Sequence, residues 1–189
     1  PELSLIFDTM SWKIQVNKLL VKRLPIIQRG AKGTSLNRAQ RIALIYINQN
    51  ERRHKDVKSL AKRLIQEYNL KRVMRFTYVD SKKKDIPNWQ MQKLDSGFIC
   101  QNDLNFWGKP EDNMELFCQE PFDILINLES SLPVPLIYTV RNSRAAMKIA
   151  VRQDCRNEDY DVLIEPKAGE SREHQIDRLL KFLTTTQLQ

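Results

Sequence analysis

The sequence is poor in glycine, and this shortage excludes the best-known nucleotide-binding motifs. Five glycines are spread over 189 residues. Neither G-x-G-x-x-G nor G-x-x-x-x-G-K-[ST] occurs, so we expect no dinucleotide fingerprint and no phosphate loop. The segment G-A-K-G-T-S at 30–35 has the wrong spacing for a phosphate loop and precedes a predicted strand instead of following one. The motif G-x-S-x-G is also absent, which excludes the nucleophile elbow of an α/β-hydrolase.

Cysteine, histidine and long apolar runs are scarce as well. The three cysteines, Cys100, Cys118 and Cys155, are too far apart for a disulfide framework or a zinc site. No apolar run approaches the ~18 residues of a membrane span, and the first ten residues do not resemble a signal peptide. We therefore expect a cytoplasmic protein with no metal, no cofactor and no transmembrane segment. His54 and His174 lie in polar segments, and we expect both on the surface.

Positive charge is concentrated near the start of the chain. The formal net charge is +8, and residues 11–50 contain eight basic residues and no acidic one. Residues 51–189 are nearly neutral, with 23 basic and 21 acidic residues. Such a segment attracts the phosphates of nucleic acid or of a membrane surface, through contacts that weaken steeply with salt. The predicted polyanion-binding residues are Lys13, Lys18, Lys22, Arg23, Arg29, Lys32 and Arg38.

The same segment predicts an amphipathic helix. Ser11 is a suitable N-cap, and Pro25 discourages helix from Leu24 onward. Two uses of this helix stay open. Its lysines contact a polyanion, or its apolar side docks on the domain or on a partner subunit. We expect residues 1–38 to form this helix and a linker, and residues 39–189 to form one domain. The apolar side consists of Trp12, Val16, Leu19 and Leu20.

Apolar runs alternate with helical stripes over the rest of the chain. Strands are predicted at Arg41–Asn48, Val73–Val79, Phe98–Cys100, Phe122–Leu128, Met147–Val151 and Tyr160–Glu165. Helices are predicted at His54–Tyr68, Asn113–Cys118, Pro135–Val140 and Ser171–Leu183. Continuous apolar strands separated by helices are typical of a parallel sheet that is buried on both faces. We therefore predict an α/β, Rossmann-like fold, with five to six mostly parallel strands, helices on both faces and the basic helix in front.

In such a fold a ligand binds outside the carboxyl ends of the strands. The polar residues there could bind a polar ligand or perform acid–base chemistry, or they could simply form turns and helix caps. Asp161 and Glu165 lie about 13 Å apart at the two ends of a strand. We interpret them, like Asp123 and Glu129, as strand flanks. The possible pocket residues are Asn48, Asn50, Asp80, Ser81, Glu129, Ser130, Ser131 and Glu165.

An aromatic pair forms a further candidate site. Phe106 and Trp107 stand close to Lys109. Exposed, the rings would stack on a nucleobase while the lysine contacts a phosphate. The alternative, which the usual role of aromatic residues favours, is that they cover one end of the sheet.

Three motifs carry a resemblance to a known family: D-L-N-F-W-G-K-P at 103–110, E-P-F-D-I-L-I-N-L at 120–128 and S-R-A-A-M-K-I-A-V at 143–151. With them, the chain from about residue 13 to 183 resembles a conserved bacterial family of the Bacteroidetes group that has no assigned function. Where that family has a glycine, this chain has Ala150. One βαβ unit also shows a loose, local resemblance to the nucleotide-sugar domains of heptosyltransferases.

The sequence leaves three functions open. The leading hypothesis is a binding module whose basic helix contacts RNA, a ribonucleoprotein or another polyanion. The alternative is a small-ligand-binding protein or an enzyme acting on a nucleotide or sugar phosphate at the strand ends. The third is a structural protein that dimerises through its N-terminal helix. Whether the chain catalyses a reaction stays open.

Overall fold

The computed structural model describes residues 34–90, 94–105, 110, 113–151 and 157–185. The predicted helix at 11–24 and most of the predicted polyanion-binding residues lie outside these ranges.

The described residues contain six strands in one parallel sheet. In chain order these are β1 (Arg41–Ile47), β2 (Arg72–Val79), β3 (Ser96–Cys100), β4 (Ile124–Asn127), β5 (Met147–Val151) and β6 (Val162–Ile164). Their order across the sheet is β3-β2-β1-β4-β5-β6, and every adjacent pair is parallel. This doubly wound order confirms the predicted α/β, Rossmann-like class. It also creates a topological switch point between β1 and β4, where the chain reverses its direction of travel across the sheet.

Four helices accompany the sheet in the described part of the chain: α1 (Glu51–Tyr68), α2 (Asn113–Gln119), α3 (Val134–Asn142) and α4 (Arg172–Thr185). Helix α1 begins three residues before the predicted start, because Asn50 is its N-cap and accepts a hydrogen bond from Arg53 N at 2.9 Å. Its last residue, Tyr68, is followed by the C-cap Asn69, which adopts a left-handed conformation with φ 51°. None of these helices is long and apolar enough to cross a membrane.

Helices cover both faces of the sheet, as predicted. On one face Leu44 and Ile126 pack with Leu64 of α1 and Leu180 of α4. On the other face, the buried strand residues pack against α2 and α3 in a second cluster. Side chains alternate between the two clusters along β1 and β4, as the pleat requires. Burial of each large aliphatic side chain contributes about 1.5–3 kcal/mol, so the continuous apolar strands follow from burial on both faces.

The chain enters the domain at the amino edge of the sheet. Leu36 is fully buried, and its amide donates a hydrogen bond to Leu183 O at 3.0 Å. Asp123 Oδ2 accepts hydrogen bonds from Gln40 N at 2.7 Å and from Arg41 N at 2.8 Å. These bonds hold the start of β1 next to the start of β4. Asp123 is therefore a strand flank, as expected. The predicted division of the chain at residue 38 stays a prediction.

Candidate functional site at the carboxyl edge of the sheet

A buried carboxylate lies at the switch point. Glu129 follows β4 and is 4% exposed. Its Oε1 accepts hydrogen bonds from Arg53 Nη2 at 2.7 Å and from Ile47 N at 3.3 Å, and its Oε2 lies 3.1 Å from Arg172 Nη2. Arg53 belongs to the first turn of α1 and Arg172 is the first residue of α4. Two strands and two helices therefore converge on one side chain.

Asn48 follows β1 at the same switch point and is 8% exposed. Its Oδ1 is buried and accepts no hydrogen bond from any described residue. A buried acceptor without a partner costs about 1–3 kcal/mol, so such an atom is a candidate contact for a ligand. We call Asn48, Arg53, Glu129 and Arg172 the switch-point cluster.

A cavity of about 450 Å³ opens between α1 and α4 beside this cluster. That volume lies in the usual range of small-molecule sites, about 300–1,000 Å³. Arg52, Arg53, Arg63 and Arg172 line it, and Asp56 and Glu173 are its acidic lining residues. Arg63 is also paired with Asp177 at 2.7 Å. The lining therefore has an excess of positive charge, which favours an anionic occupant.

An aromatic group lies under the first turn of α1. Tyr46 is 1% exposed, and its hydroxyl is 3.2 Å from His54 Nδ1. Burial raises the pKa of Tyr46 to about 12 although the charges of Arg75 and Arg53 act to lower it. The phenol is therefore neutral at physiological pH, and its single hydroxyl proton serves either His54 Nδ1 or a ligand. The ring of His54 meets Trp89 edge to face, with 5.5 Å between centroids.

His54 departs from the sequence expectation. We expected both histidines on the surface, and His174 is indeed exposed. His54 is instead half-buried between Tyr46 and Trp89. The polar helix around it did not indicate this, because its contacts come from β1 and from the segment after β2.

The predicted pocket residues do not form one group. Asn48, Asn50 and Glu129 lie together at the switch point, but Asn50 is used as the N-cap of α1. Asp80 accepts hydrogen bonds from Tyr78 and Gln101. Ser81 lies beside Asp80, Ser130 and Ser131 are exposed, and Glu165 follows β6, which β4 and β5 separate from β1.

Two other predicted sites cannot be placed. Phe106, Trp107 and Lys109 lie outside the described residues, as do the polyanion-binding candidates other than Arg38. Arg38 is exposed and stands at the amino edge, opposite the switch-point cluster. Both sites stay predictions. Among the described residues, no group of three or more histidine, cysteine, aspartate or glutamate side chains could hold a metal ion.

The arginines of the site were missed by the sequence analysis. Arg53 and Arg172 stand in the first turns of helices, where the helix dipole favours acidic residues and disfavours cations. Cations at two such positions are a signal that a nearby anion compensates them. The partner, Glu129, comes from a distant part of the chain, so only the fold identifies it.

Residues 10–186 match the model of a protein family that is described as a family of unknown function (DUF6913). No curated protein and no solved structure matches the chain. The match confirms the expected membership of a family without an assigned function. The bacterial group and the likeness to heptosyltransferases stay predictions.

Proposed function

The chain belongs to the family of unknown function DUF6913, and we propose that its domain binds a small hydroxyl-bearing phosphate ester at the carboxyl edge of the sheet. Nucleotides and sugar phosphates are the candidate class. The observation that carries this proposal is the switch-point cluster, in which two arginines flank a buried carboxylate beside the unsatisfied oxygen of Asn48. Open α/β sheets bind ligands at this topological position.

The chemistry of the cluster fits such a ligand. Arginine side chains present planar sets of donors that suit phosphate oxygens. The oxygens of Asn48 and Glu129 are acceptors, which suit the hydroxyl groups of a sugar. Arg52 adds a further positive charge to the neighbouring cavity. A ligand that carries both a phosphate and a hydroxyl group would donate a hydrogen bond to Asn48 Oδ1 and would place negative charge beside the arginines.

Thermal unfolding with a panel of nucleotides and sugar phosphates tests the proposal. A ligand at one hundred times its Kd stabilises by about 2.7 kcal/mol, which corresponds to a rise in Tm of roughly 5–10 °C for a chain of this size. We expect Arg172→Met to reduce that rise. Arg178→Met is the matched control, because Arg178 lies on the same helix but pairs with Glu170. A panel without effect, or equal responses of the two variants, would contradict the proposal.

The placement of charge supports a second function, contact of the basic N-terminal segment with RNA or another polyanion. Its eight cations without an acid are the observation that favours it. We expect salt-sensitive retention of RNA that is lost when Lys13, Lys18, Lys22 and Arg23 are changed to Glu. The control is reversal of four exposed lysines elsewhere, Lys55, Lys82, Lys83 and Lys84. Equal loss in both variants would mean a general charge effect and would contradict a specific role for the segment.

Dimerisation through the N-terminal helix is the remaining prediction. Light scattering of the chain with and without residues 1–30 tests it, since a helix that joins two subunits is needed for the larger mass. The same number of chains per particle in both would refute it.

A further inference from the structure

Arg75 is a buried cation in the middle of β2. The residue is 6% exposed, and its Nη1 is buried without a hydrogen-bond partner. Its guanidinium forms no ion pair with any described carboxylate. It points to the face covered by α1, because Val73, two residues earlier on the strand, packs in the cluster that contains α1.

Such a charge requires compensation. Removing the partner of a buried ion pair is strongly destabilising, and an arginine cannot avoid this by losing its proton. The other buried or nearly buried cations in the described part of the chain have partners. Arg53 contacts Glu129, Arg141 lies 3.5 Å from Asp159, and Lys148 donates to the carbonyl oxygen of Arg141 at 3.3 Å. Arg75 departs from this pattern.

Two hydroxyl groups, which can donate or accept hydrogen bonds, lie on the same face of the sheet as Arg75. Arg75 is paired with Leu44 in the sheet and Thr77 is paired with Tyr46, so Arg75, Thr77 and Tyr46 lie on the same face, one step apart. The charges that act on the Tyr46 phenol are those of Arg75 and Arg53, both positive. His54 and Trp89 extend this group towards the first turn of α1. We call Tyr46, His54, Arg75 and Trp89 the Arg75 cluster.

We propose that Arg75 anchors the phosphoryl group of the ligand, with the Tyr46 hydroxyl as a second donor and with His54 and Trp89 flanking the site. This inference rests on the proposed function and adds the residue that binds the anion. The bound phosphate supplies the counter-charge that the described protein lacks at Arg75. Arg53 lies between the Arg75 cluster and the switch-point cluster, since it contacts Glu129 and also acts on Tyr46.

The test compares wild type with Arg75→Met, using inorganic phosphate as the probe. Methionine preserves much of the volume and removes the uncompensated charge, so the variant without phosphate is expected to be at least as stable as wild type. Calorimetric titration is expected to show saturable phosphate binding to wild type, weakened about thirtyfold or more in the variant. Binding at this buried site is also expected to persist at high salt, because buried charges are screened less than those of an exposed segment.

Phosphate also stabilises proteins by exclusion from their surface, so the Tm of both proteins is followed in parallel. A rise that is not saturable and is equal in both proteins counts against the inference. Arg75→Lys is the second variant if Arg75→Met does not fold. It keeps the charge but loses the planar fork, and we expect it to bind phosphate at least about tenfold more weakly.

The outcomes separate this inference from the proposed function. If a phosphate ester stabilises wild type and Arg75→Met equally, the inference is wrong and the proposed function stands. If inorganic phosphate binds through Arg75 but no ester in the panel binds more tightly, the inference stands and the proposal that the ligand is a phosphate ester is wrong. Absence of any phosphate binding to wild type overturns the inference directly.

Discussion

Replacement of Glu129 by Gln tests the central contact of the site. Glu129 is the meeting point of Arg53 and Arg172 and is almost completely buried. Glutamine has nearly the same shape and retains an acceptor for Ile47 N–H, but it removes the negative charge. Arg53, whose side chain is 11% exposed, would then be left as a nearly buried cation without its partner.

The loss of stability expected for Glu129→Gln depends on how exposed Arg53 and Arg172 are. Loss of one partner of a fully buried ion pair costs about 3–5 kcal/mol. Arg172, with its side chain 46% exposed, contributes as a surface pair does, about 0–1 kcal/mol. Because glutamine still accepts a hydrogen bond, we expect a net loss of about 2–4 kcal/mol in the free energy of unfolding and a fall in Tm of roughly 5–15 °C.

Urea unfolding followed by circular dichroism measures this loss. The matched control is Glu51→Gln, since Glu51 and Lys55 form a surface pair at 2.7 Å with side chains 53% and 69% exposed. That variant loses a surface pair and a favourable charge at the helix N-terminus, and is expected to change the free energy by less than about 1 kcal/mol. In a double-mutant cycle, Arg53→Met should cost less in the Glu129→Gln protein than in wild type. If Glu129→Gln costs no more than the control, or if the cycle is additive, the compensation of charge at the switch point is refuted.

Three further predictions follow from buried groups elsewhere. The pKa of Tyr46 is raised from 10.0 to about 12, so above pH 10 the unfolded state loses this proton first and stability falls by about 2.7 kcal/mol up to pH 12. Urea unfolding across that range should show a shallower decline for Tyr46→Phe, and an unchanged decline would contradict the assignment. The Cys118 thiol, whose pKa burial raises to about 12, should be labelled by thiol reagents at neutral pH only on unfolding, as read by mass spectrometry of its peptide. Fast labelling of the native protein would contradict its burial. Gly97→Ala should cost about 1–3 kcal/mol in the same urea assay, because its Cβ would lie 2.9 Å from the ring of Phe76. Adding Phe76→Leu should recover part of that cost, and no recovery would contradict the clash.

Most of the fold was predictable because its signals are local. The apolar runs in Met147–Val151 and Arg41–Ile47 were identified as strands almost to the residue, since a strand buried on both faces is apolar throughout. The apolar stripe of α4 identified that helix in the same way. Helix α1 begins earlier than its apolar stripe predicts, because Asn50 caps it and the first turn is polar.

The candidate site was predictable only in part. Asn48 and Glu129 were identified because polar residues that follow parallel strands lie at the carboxyl edge. Arg75 was passed over inside an apolar strand, and Arg53 and Arg172 were regarded as ordinary helix surface. Their roles depend on partners, or on the lack of partners, in distant parts of the chain.

The amino-acid sequence by itself determined the class of the fold, the run of strands and helices, and the edge of the sheet at which polar residues would lie. These follow from hydrophobic periodicity and from the shared direction of parallel strands. Only the tertiary structure decided which strand ends are neighbours. Placing β4 beside β1 brought Glu129 to the same sheet edge as Asn48, whereas β4 and β5 separated Glu165 from Asn48. The physical reason is that strand order depends on packing over the whole domain, and this packing also decides which buried charges are compensated and which are not.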